Sequence, residues 1–368
     1  MKINWIEFEN LKTGLKINKI NFFDDITLLV GLSGVGKTQI LDAIRYSLNI
    51  ATSKRAKLLP YCAHLGISVD NDRFEWSYRI ENVTNVAIQE YSQPYIFTYE
   101  KLLCNGNVVF ERIKDNVSIT GYDKIPQPKK DESLLLQYAE DEKLNILSKS
   151  IRQMYAVEIE LAIRGALNRE SFVSIMENFG PLAEKNIDFG IFHHFPTVMK
   201  LYLAKKYYMN VYVQIFEKVK ELFMEIEDID VVEDSYQDAY VLSIKVYGKQ
   251  LLQKDISNGM LKSIYYITEL CTMSQNSLVL IDEFENGLGV NCIDVLTDVF
   301  LSERQDLQFI ITSHHPKIIN HISMNKWKII DRDVNIVTNC TPTEYGLTNS
   351  YHDGYFNLIN RWEYEGKI

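Results

Sequence analysis

The stretch Gly31-Leu32-Ser33-Gly34-Val35-Gly36-Lys37-Thr38 constrains this chain more than any other. It fits the phosphate-binding pattern G-x-x-x-x-G-K-[ST] in full. A short β-branched, apolar run, Ile26-Thr27-Leu28-Leu29-Val30, precedes it and reads as a buried strand. Gln39 to Leu48 follows, with Ile40, Leu41, Ile44 and Leu48 at helical spacing. Strand, glycine loop and helix together are the setting in which the pattern works. The glycines let backbone N–H groups curl around phosphate oxygens, and the helix N-terminus adds positive potential. Lys37 is expected to reach the β- and γ-phosphates and the Thr38 hydroxyl to bind Mg²⁺. Chance yields the pattern in roughly one chain in a hundred, and the flanks narrow that further. Nucleotide binding by Gly31, Ser33, Gly34, Val35, Gly36, Lys37, Thr38 and Gln39 is the first expectation.

A length of 368 residues allows two or three domains. The 46% hydrophobic and 24% charged content is that of a soluble globular protein. No window holds enough consecutive apolar residues for a membrane span. Met1-Lys2-Ile3-Asn4-Trp5-Ile6-Glu7 lacks the basic start and apolar core of a signal peptide. The five cysteines, Cys62, Cys104, Cys271, Cys292 and Cys340, are scattered and never C-x-x-C, so reduced thiols in the cytoplasm are expected. The pairs His193-His194 and His314-His315 have no cysteines at zinc spacing. A net charge of −10 disfavours wrapping of nucleic acid over the whole surface. A local basic groove at Lys124 and Lys129-Lys130 stays open beside the simpler reading of a solvated loop, so DNA remains a possible partner.

The first part of the chain reads as β-rich. Trp5 to Phe8, Leu15 to Ile17, Gly66 to Val69, Phe74 to Ile80 and Asn107 to Arg112 are strand candidates, and Asn105-Gly106 is a hairpin turn signal. A linker from Gly121 to Asp131 contains Pro126 and Pro128. From Ser133 to Ile229 the chain reads as helical, with Pro196 to Glu227 as its longest periodic segment and too aromatic for a long coiled coil. Ala239 to Val246 returns to β. Ser277 to Ile281, Cys292 to Leu301 and Leu307 to Thr312 then alternate strand, helix and strand, which implies parallel strands with crossover helices.

Four further pieces surround the phosphate loop. Leu278-Val279-Leu280-Ile281-Asp282-Glu283 is a buried strand with two carboxylates at its C-terminal end, where ligands bind in open α/β sheets. Asp282 there suits Mg²⁺ and Glu283 suits the polarisation of an attacking water, although strands also end in merely solvated acids. Asp255-Ile256-Ser257-Asn258-Gly259-Met260 opens a helix bearing Leu261, Ile264, Tyr265 and Thr268. Ser257 reads as an N-cap, and the same geometry offers N–H groups and a hydroxyl to an anion. Glu285-Asn286-Gly287-Leu288-Gly289 is a turn directly after the carboxylate pair. Phe309-Ile310-Ile311-Thr312-Ser313-His314 is a second apolar strand ending in a polar residue, and the His314 imidazole can exchange a hydrogen bond with a γ-phosphate or serve the fold alone.

This order of phosphate loop, helical insertion, S-x-G helix start, hydrophobic-D-E and T-S-H resembles the ABC-type ATPases of the SMC, RecF and OLD group, a branch of the AAA-type P-loop ATPases. Ile6-Glu7-Phe8-Glu9-Asn10-Leu11-Lys12 is similar to the opening strand of that group, and Asp282 to Leu288 resembles its extended Walker B and D-loop. The resemblance implies an α/β P-loop NTPase fold of ABC type: a mixed sheet flanked by helices, with a β-rich subdomain and an inserted helical lobe. It implies a core part at 1–125, a helical lobe at 126–235 and a second core part at 236–368. By the same resemblance, ATP and Mg²⁺ are the ligands, and Glu283 is the catalytic base with Lys37 and the switch residue His314 beside it. Ser257, Asn258 and Gly259 form the signature, and Asn286 and Gly287 lie in the D-loop; all five act on the site of a second subunit. Gln137 is the candidate for the glutamine loop at the metal, beside Thr38 and Asp282. Asn258 and Met260 stand where a transporter signature has glycine and glutamine, which argues against a transporter.

The implied activity is ATP hydrolysis by a homodimer or higher homo-oligomer that closes and opens. The stretch from His314 to Ile368 has no room for a nuclease domain. It holds Tyr345, Tyr351, Tyr355, Phe356, Trp362 and Tyr364, which suit an interface or simple packing. A compact ATPase of this kind resembles the ATPase subunits of bacterial anti-phage defence systems, such as PtuA of Septu and AriA of PARIS, which implies a separately encoded effector nuclease as partner. Two other readings remain: a RecF-like repair ATPase that binds DNA, and a nucleotide-bound scaffold that sequesters a partner without turnover.

Overall fold

The computed structural model describes residues 1–82, 94–123, 125, 127–141, 145–153, 166–185, 189–192, 195–298, 303–347 and 354–364. Lys124, Pro126, His193-His194 and Tyr351 lie outside the described residues, as does the side chain of Tyr355.

Alternating burial shapes the N-terminal strands. β1 (Lys2–Asn10) buries Ile3, Ile6 and Phe8, and β2 (Leu15–Asn21) buries Leu15, Ile17 and Ile20. β3 (Ile26–Val30) is buried at every position, which is why its sequence is an unbroken apolar run. The phosphate loop leads from it into α1 (Lys37–Thr52). An antiparallel wing follows: β4 (Tyr61–Val69), β5 (Asp72–Asn82), β6 (Tyr95–Cys104), β7 (Asn107–Ile113) and β8 (Asn116–Ile119). Its strands alternate because one face is solvated; β5 buries Phe74, Trp76, Tyr78 and Ile80 and turns Arg73, Glu75 and Arg79 outward. The Asn105-Gly106 turn joins β6 to β7 with both φ angles positive, 50° and 80°, the geometry of a tight hairpin.

The middle of the chain holds α2 (Leu134–Gln137), α3 (Asn145–Gln153), β9 (Leu167–Asn168), α4 (Arg169–Glu184), α5 (Thr197–Tyr207) and α6 (Met209–Leu222). Then come β10 (Ile226–Asp234), β11 (Ala239–Val246) and β12 (Lys249–Leu252). The helical reading of Ser133 to Ile229 is corrected in two places. The segment Pro196 to Glu227 breaks at Tyr208, whose backbone leaves the helix (φ −126°, ψ 64°) while its ring packs on Phe189 and Phe192. From Ile226 the chain is a strand, paired antiparallel with β11 from Ile226↔Val246 to Asp234↔Ala239. The boundary expected at 235/236 therefore falls in the turn of a hairpin. The expected lobe 126–235 also divides: Leu134, Leu135, Leu147 and Ile151 pack with Ile40 and Ile44 of α1, whereas the cores of α5 and α6 pack on the opposite sheet face.

The last part is α7 (Asn258–Thr272), β13 (Leu278–Ile281), α8 (Val290–Asp298), β14 (Gln308–Thr312), α9 (Pro316–His321), β15 (Trp327–Asp333), β16 (Ile336–Cys340) and α10 (Gly354–Tyr364). β15 and β16, which the sequence did not announce, enter the sheet between β3 and β2. Of the tail aromatics, Trp362 is buried, Tyr345 takes Arg361 over its ring, and Phe356 and Tyr364 are exposed.

Twelve described strands form one mixed sheet in the order β13-β14-β3-β15-β16-β2-β1-β4-β5-β6-β7-β8. β9 to β12 form a small second sheet. The parallel centre is covered on both faces. Leu28, Val279, Ile281, Phe309 and Ile311 join the core beneath α5 to α9, while Leu29, Leu278, Leu280 and Ile310 join the core beneath α1 to α3. An α/β fold with a mixed sheet flanked by helices, as expected, is what the chain adopts.

Candidate functional site

Sheet register assembles the site. β13, β14 and β3 are parallel neighbours, with Ile281 opposite Ile311 and Thr312 opposite Leu29. Their C-terminal ends therefore meet on one edge, and each end carries polar residues: Asp282-Glu283 after β13, Thr312 to His314 at the end of β14, and the phosphate loop after β3. The result is a cavity of about 310 Å³ lined by Lys37, Thr38, Gln39, Asp282, Glu283 and His314, with Ser33, Gly34, Gly36 and Thr312. A larger groove of about 970 Å³ runs along α1 past Asp42, Arg45 and Asn49 and shares only Gln39 with this cavity. The chemistry belongs to the smaller one, because it gathers the ammonium, the carboxylates and the helix N-terminus.

Local backbone rules fix the loop. Gly36 caps α1 at φ 108°, and a Cβ there would sit 2.7 Å from Val337 Cγ2, so only glycine fits. A Cβ on Gly31 would meet the carbonyl of Ile330 at 2.5 Å, so the loop lies directly against β15. No acidic residue occupies the first turn of α1, which leaves its N–H groups and dipole open to an anion. Val35 does not line the cavity; its side chain is buried in the core beneath α1.

Lys37 Nζ donates to the carbonyls of Gly31 and Leu32, both at 2.8 Å. Burial pulls its pKa down to about 8, against the opposing pull of the Asp282, Glu283 and Glu285 carboxylates. The Thr38 hydroxyl donates to Asp282 Oδ2 at 2.7 Å. A hydroxyl and a carboxylate oxygen are hard donors of the kind Mg²⁺ takes, so this pair fits that ion. Thr312 Oγ1 donates to Asp282 Oδ1 at 2.6 Å and accepts from the N–H of Glu283 at 2.7 Å. Glu283 has φ 47°, a left-handed backbone that costs a non-glycine residue on the order of 1–3 kcal/mol, and its side chain is exposed to solvent. Burial and the charge of Lys37 hold His314 below the ordinary histidine range, so its imidazole is neutral at pH 7.

Three expected site residues from the helix start, Ser257, Asn258 and Gly259, do not line this cavity, nor do Asn286 and Gly287. They are together elsewhere. Ser257 caps α7, accepting from the N–H of Met260 at 3.3 Å, and is exposed. A Cβ on Gly259 would lie 3.4 Å from Gly289 N and 3.5 Å from the Gly287 carbonyl, so the helix start packs closely on the 286–289 turn. Lys262 Nζ donates to the Asn286 carbonyl and completes the contact. Gln137 is corrected: it is not at the cavity, because its amide nitrogen donates to the carbonyls of Lys129 and Glu132 and its oxygen accepts from Lys129 N–H, all at 2.8 Å. Lys129 and Lys130 pair at the surface with Glu132 and Asp115, which partly offsets their charge.

Two residues at the site were not singled out from the sequence. Thr312 clamps both members of the carboxylate pair. Glu285 accepts from the Ser313 hydroxyl at 2.8 Å and from the His314 N–H at 2.6 Å. The polar end of the β14 run and the T-S-H order were the signals for Thr312, and none pointed from Glu285 to His314.

The family described as "AAA domain, putative AbiEii toxin, Type IV TA system" matches residues 196–320. Two solved structures are similar over nearly the whole chain. The SmcHead bound to the C-winged helix domain of ScpA has a TM-score of 0.55 at 14% identity, covering 94% of this chain and 100% of that one. The Smc head domain with an extended coiled coil, bound to the C-terminal domain of ScpA and derived from Pyrococcus furiosus, has a TM-score of 0.50 at 13% identity, with 94% and 97% covered. None of the curated proteins compared with this chain matches it. The fold is that of the Smc head domain. Among the described residues, no helix is long and apolar enough to cross a membrane.

Proposed function

We propose that this chain is an ATPase that acts as a nucleotide-gated dimer. Each protomer would bind the phosphates of ATP with the loop Gly31–Thr38 and Lys37. Thr38 and Asp282 would hold Mg²⁺, which would spread the charge of the γ-phosphate. Glu283, exposed at the cavity and held in place through its backbone N–H, would orient the attacking water. His314, neutral at pH 7, would hydrogen-bond the γ-phosphate. The observation that carries the reading is a separation. The cavity holds the loop, the carboxylates and the histidine, while Ser257, Gly259, Asn286 and Gly287 are packed together outside it. That division suits a site completed by the Ser257 and Gly259 of a second copy.

A mixing experiment tests this. Lys37→Ala removes phosphate binding and Ser257→Arg blocks the second half. Each variant alone should hydrolyse ATP at a small fraction of the wild-type rate. A mixed dimer regains one whole site, so mixing should restore activity, up to roughly half of wild type per dimer. No recovery, or normal turnover by Ser257→Arg alone, overturns the shared site.

The biological role we infer is the ATPase and sensor subunit of a cytoplasmic anti-phage defence system that controls a separately encoded nuclease. The matched family, whose description names an AbiEii toxin and a Type IV TA system, supports a place in such systems. Co-purification with a nuclease encoded beside it, compared in ATP and in ADP, tests this role; the same partner load in both nucleotides would refute gating.

A further inference from the structure

We propose that Glu285 is a positioning residue that couples the 286–289 turn to His314, so that the γ-phosphate-facing histidine follows the position of the turn. Its use in hydrolysis rests on the ATPase reading above; the coupling itself does not. The Glu285 side chain uses both oxygens on the end of β14, accepting the Ser313 hydroxyl on one and the His314 N–H on the other. Its carbonyl accepts the N–H of Leu288 at 3.0 Å, and the neighbouring Asn286 N–H donates to the Glu283 carbonyl at 2.8 Å. One residue therefore holds the turn with its main chain and the histidine strand with its side chain. The turn in turn bears on the start of α7 at Gly259 and on Lys262.

Hydrogen bonds to a carboxylate are about twice as strong as neutral ones and define geometry closely. Two of them on adjacent residues fix the backbone from which the His314 imidazole enters the cavity. A displacement of the turn, such as docking of a second copy on Asn286 and Gly287 would cause, is carried to His314 by this side chain. Sites of this kind lose rate, more than ground-state binding, when a positioned group drifts.

The test compares Glu285→Ala, Glu285→Gln and Ser313→Ala by two readouts. The first is amide hydrogen exchange at His314, which needs no turnover. The second is ATP hydrolysis, separated into kcat and KM. Glu285→Ala should exchange the His314 amide faster by about tenfold or more and lose about tenfold or more in kcat, with KM within about twofold. Glu285→Gln should restore both, because an amide oxygen can accept the His314 N–H while its nitrogen donates to Ser313 Oγ. Ser313→Ala, which removes one bond of the two, should fall between them. Unchanged exchange in Glu285→Ala, or a Gln variant as impaired in kcat as Ala, overturns the proposal, the latter by showing that charge and not position matters. Wild-type protein that binds ATP without hydrolysing it would defeat the ATPase reading alone, and the exchange measurement would then decide the coupling.

Discussion

The Thr38 hydroxyl donates to Asp282 Oδ2 across 2.7 Å, joining the first turn of α1 to the end of β13. Both oxygens face the same cavity and both are ligands suited to Mg²⁺. Asp282→Asn keeps the shape and removes the charge. The variant should lose about tenfold or more in affinity for ATP with Mg²⁺, ~1.4 kcal/mol, and little in affinity for ATP in EDTA. Calorimetric titration under both conditions measures the difference. Equal losses would place Asp282 in fold maintenance and not at the metal.

Thr312 holds the carboxylate pair from the neighbouring strand and is fully buried. Thr312→Val conserves volume but leaves the Glu283 N–H without its acceptor and Asp282 Oδ1 without its donor. The expected cost is ~1–3 kcal/mol of stability, read from urea unfolding, together with slower hydrolysis. Thr312→Ser keeps the hydroxyl and should recover the rate. A serine variant as slow as valine would shift the role from hydrogen bonding to packing.

What the sequence disclosed, and what it did not, follows from the range of the interactions. The run Ile26 to Val30, the loop and the helix after it are set by neighbours in sequence, and β3 has the limits read from its residues. Asp282, Glu283 and His314 were legible because strands that end in polar residues place them on one sheet edge. The second half of the expected site, Ser257 with Gly259, was legible as a helix cap, and α7 begins there. Tyr208 gave no warning of a break, since no glycine or proline marks it and a pocket of Phe189 and Phe192 draws the ring in. β10 was missed because its alternation, Ile229 and Val231 between acids, becomes decisive only once β11 pairs with it. Gln137 lay in a plausible place in the order of motifs, yet its amide is taken by the backbone of the loop before α2. The bonds of Thr312 to Asp282 and of Glu285 to His314 join residues about thirty positions apart, and only strand register creates such contacts.

The environment of His314 sets a pH dependence. Burial, helped by the charge of Lys37, lowers its pKa below the ordinary 6.5. The ring is then neutral through pH 7 and gains a proton only as pH falls through the lowered value. The His314 contribution should be flat above pH 6.5 and decline on the acid side, while Lys37, with its pKa of about 8, gives the activity a separate fall on the alkaline side. Stability should follow the same sign: wild type loses stability relative to His314→Gln as pH falls through the folded value, because the unfolded state binds the proton first. A pH–kcat profile checks this. Persistence of the acid limb in His314→Gln would assign it to another group.

Beneath the sheet, Lys200 and Glu269 form an ion pair at 2.6 Å with both side chains 0% exposed. Thr197 Oγ1 donates to the other Glu269 oxygen at 2.6 Å, so α5 is fastened to α7, the helix that begins at Ser257. A buried pair of this kind costs little when both members are replaced and much when one is left alone. Glu269→Ala should destabilise the protein by ~3–5 kcal/mol, whereas Lys200→Met with Glu269→Leu should be near neutral or stabilising. Denaturant unfolding of the two variants gives the comparison. The double variant also separates stability from register. If it folds well yet hydrolyses ATP poorly, the pair serves to place the α7 start against its partner site. If the double variant is as unstable as Glu269→Ala, the loss does not come from a charge left alone, and the bonds of Lys200 and Thr197 to Glu269 are themselves what fasten the two helices.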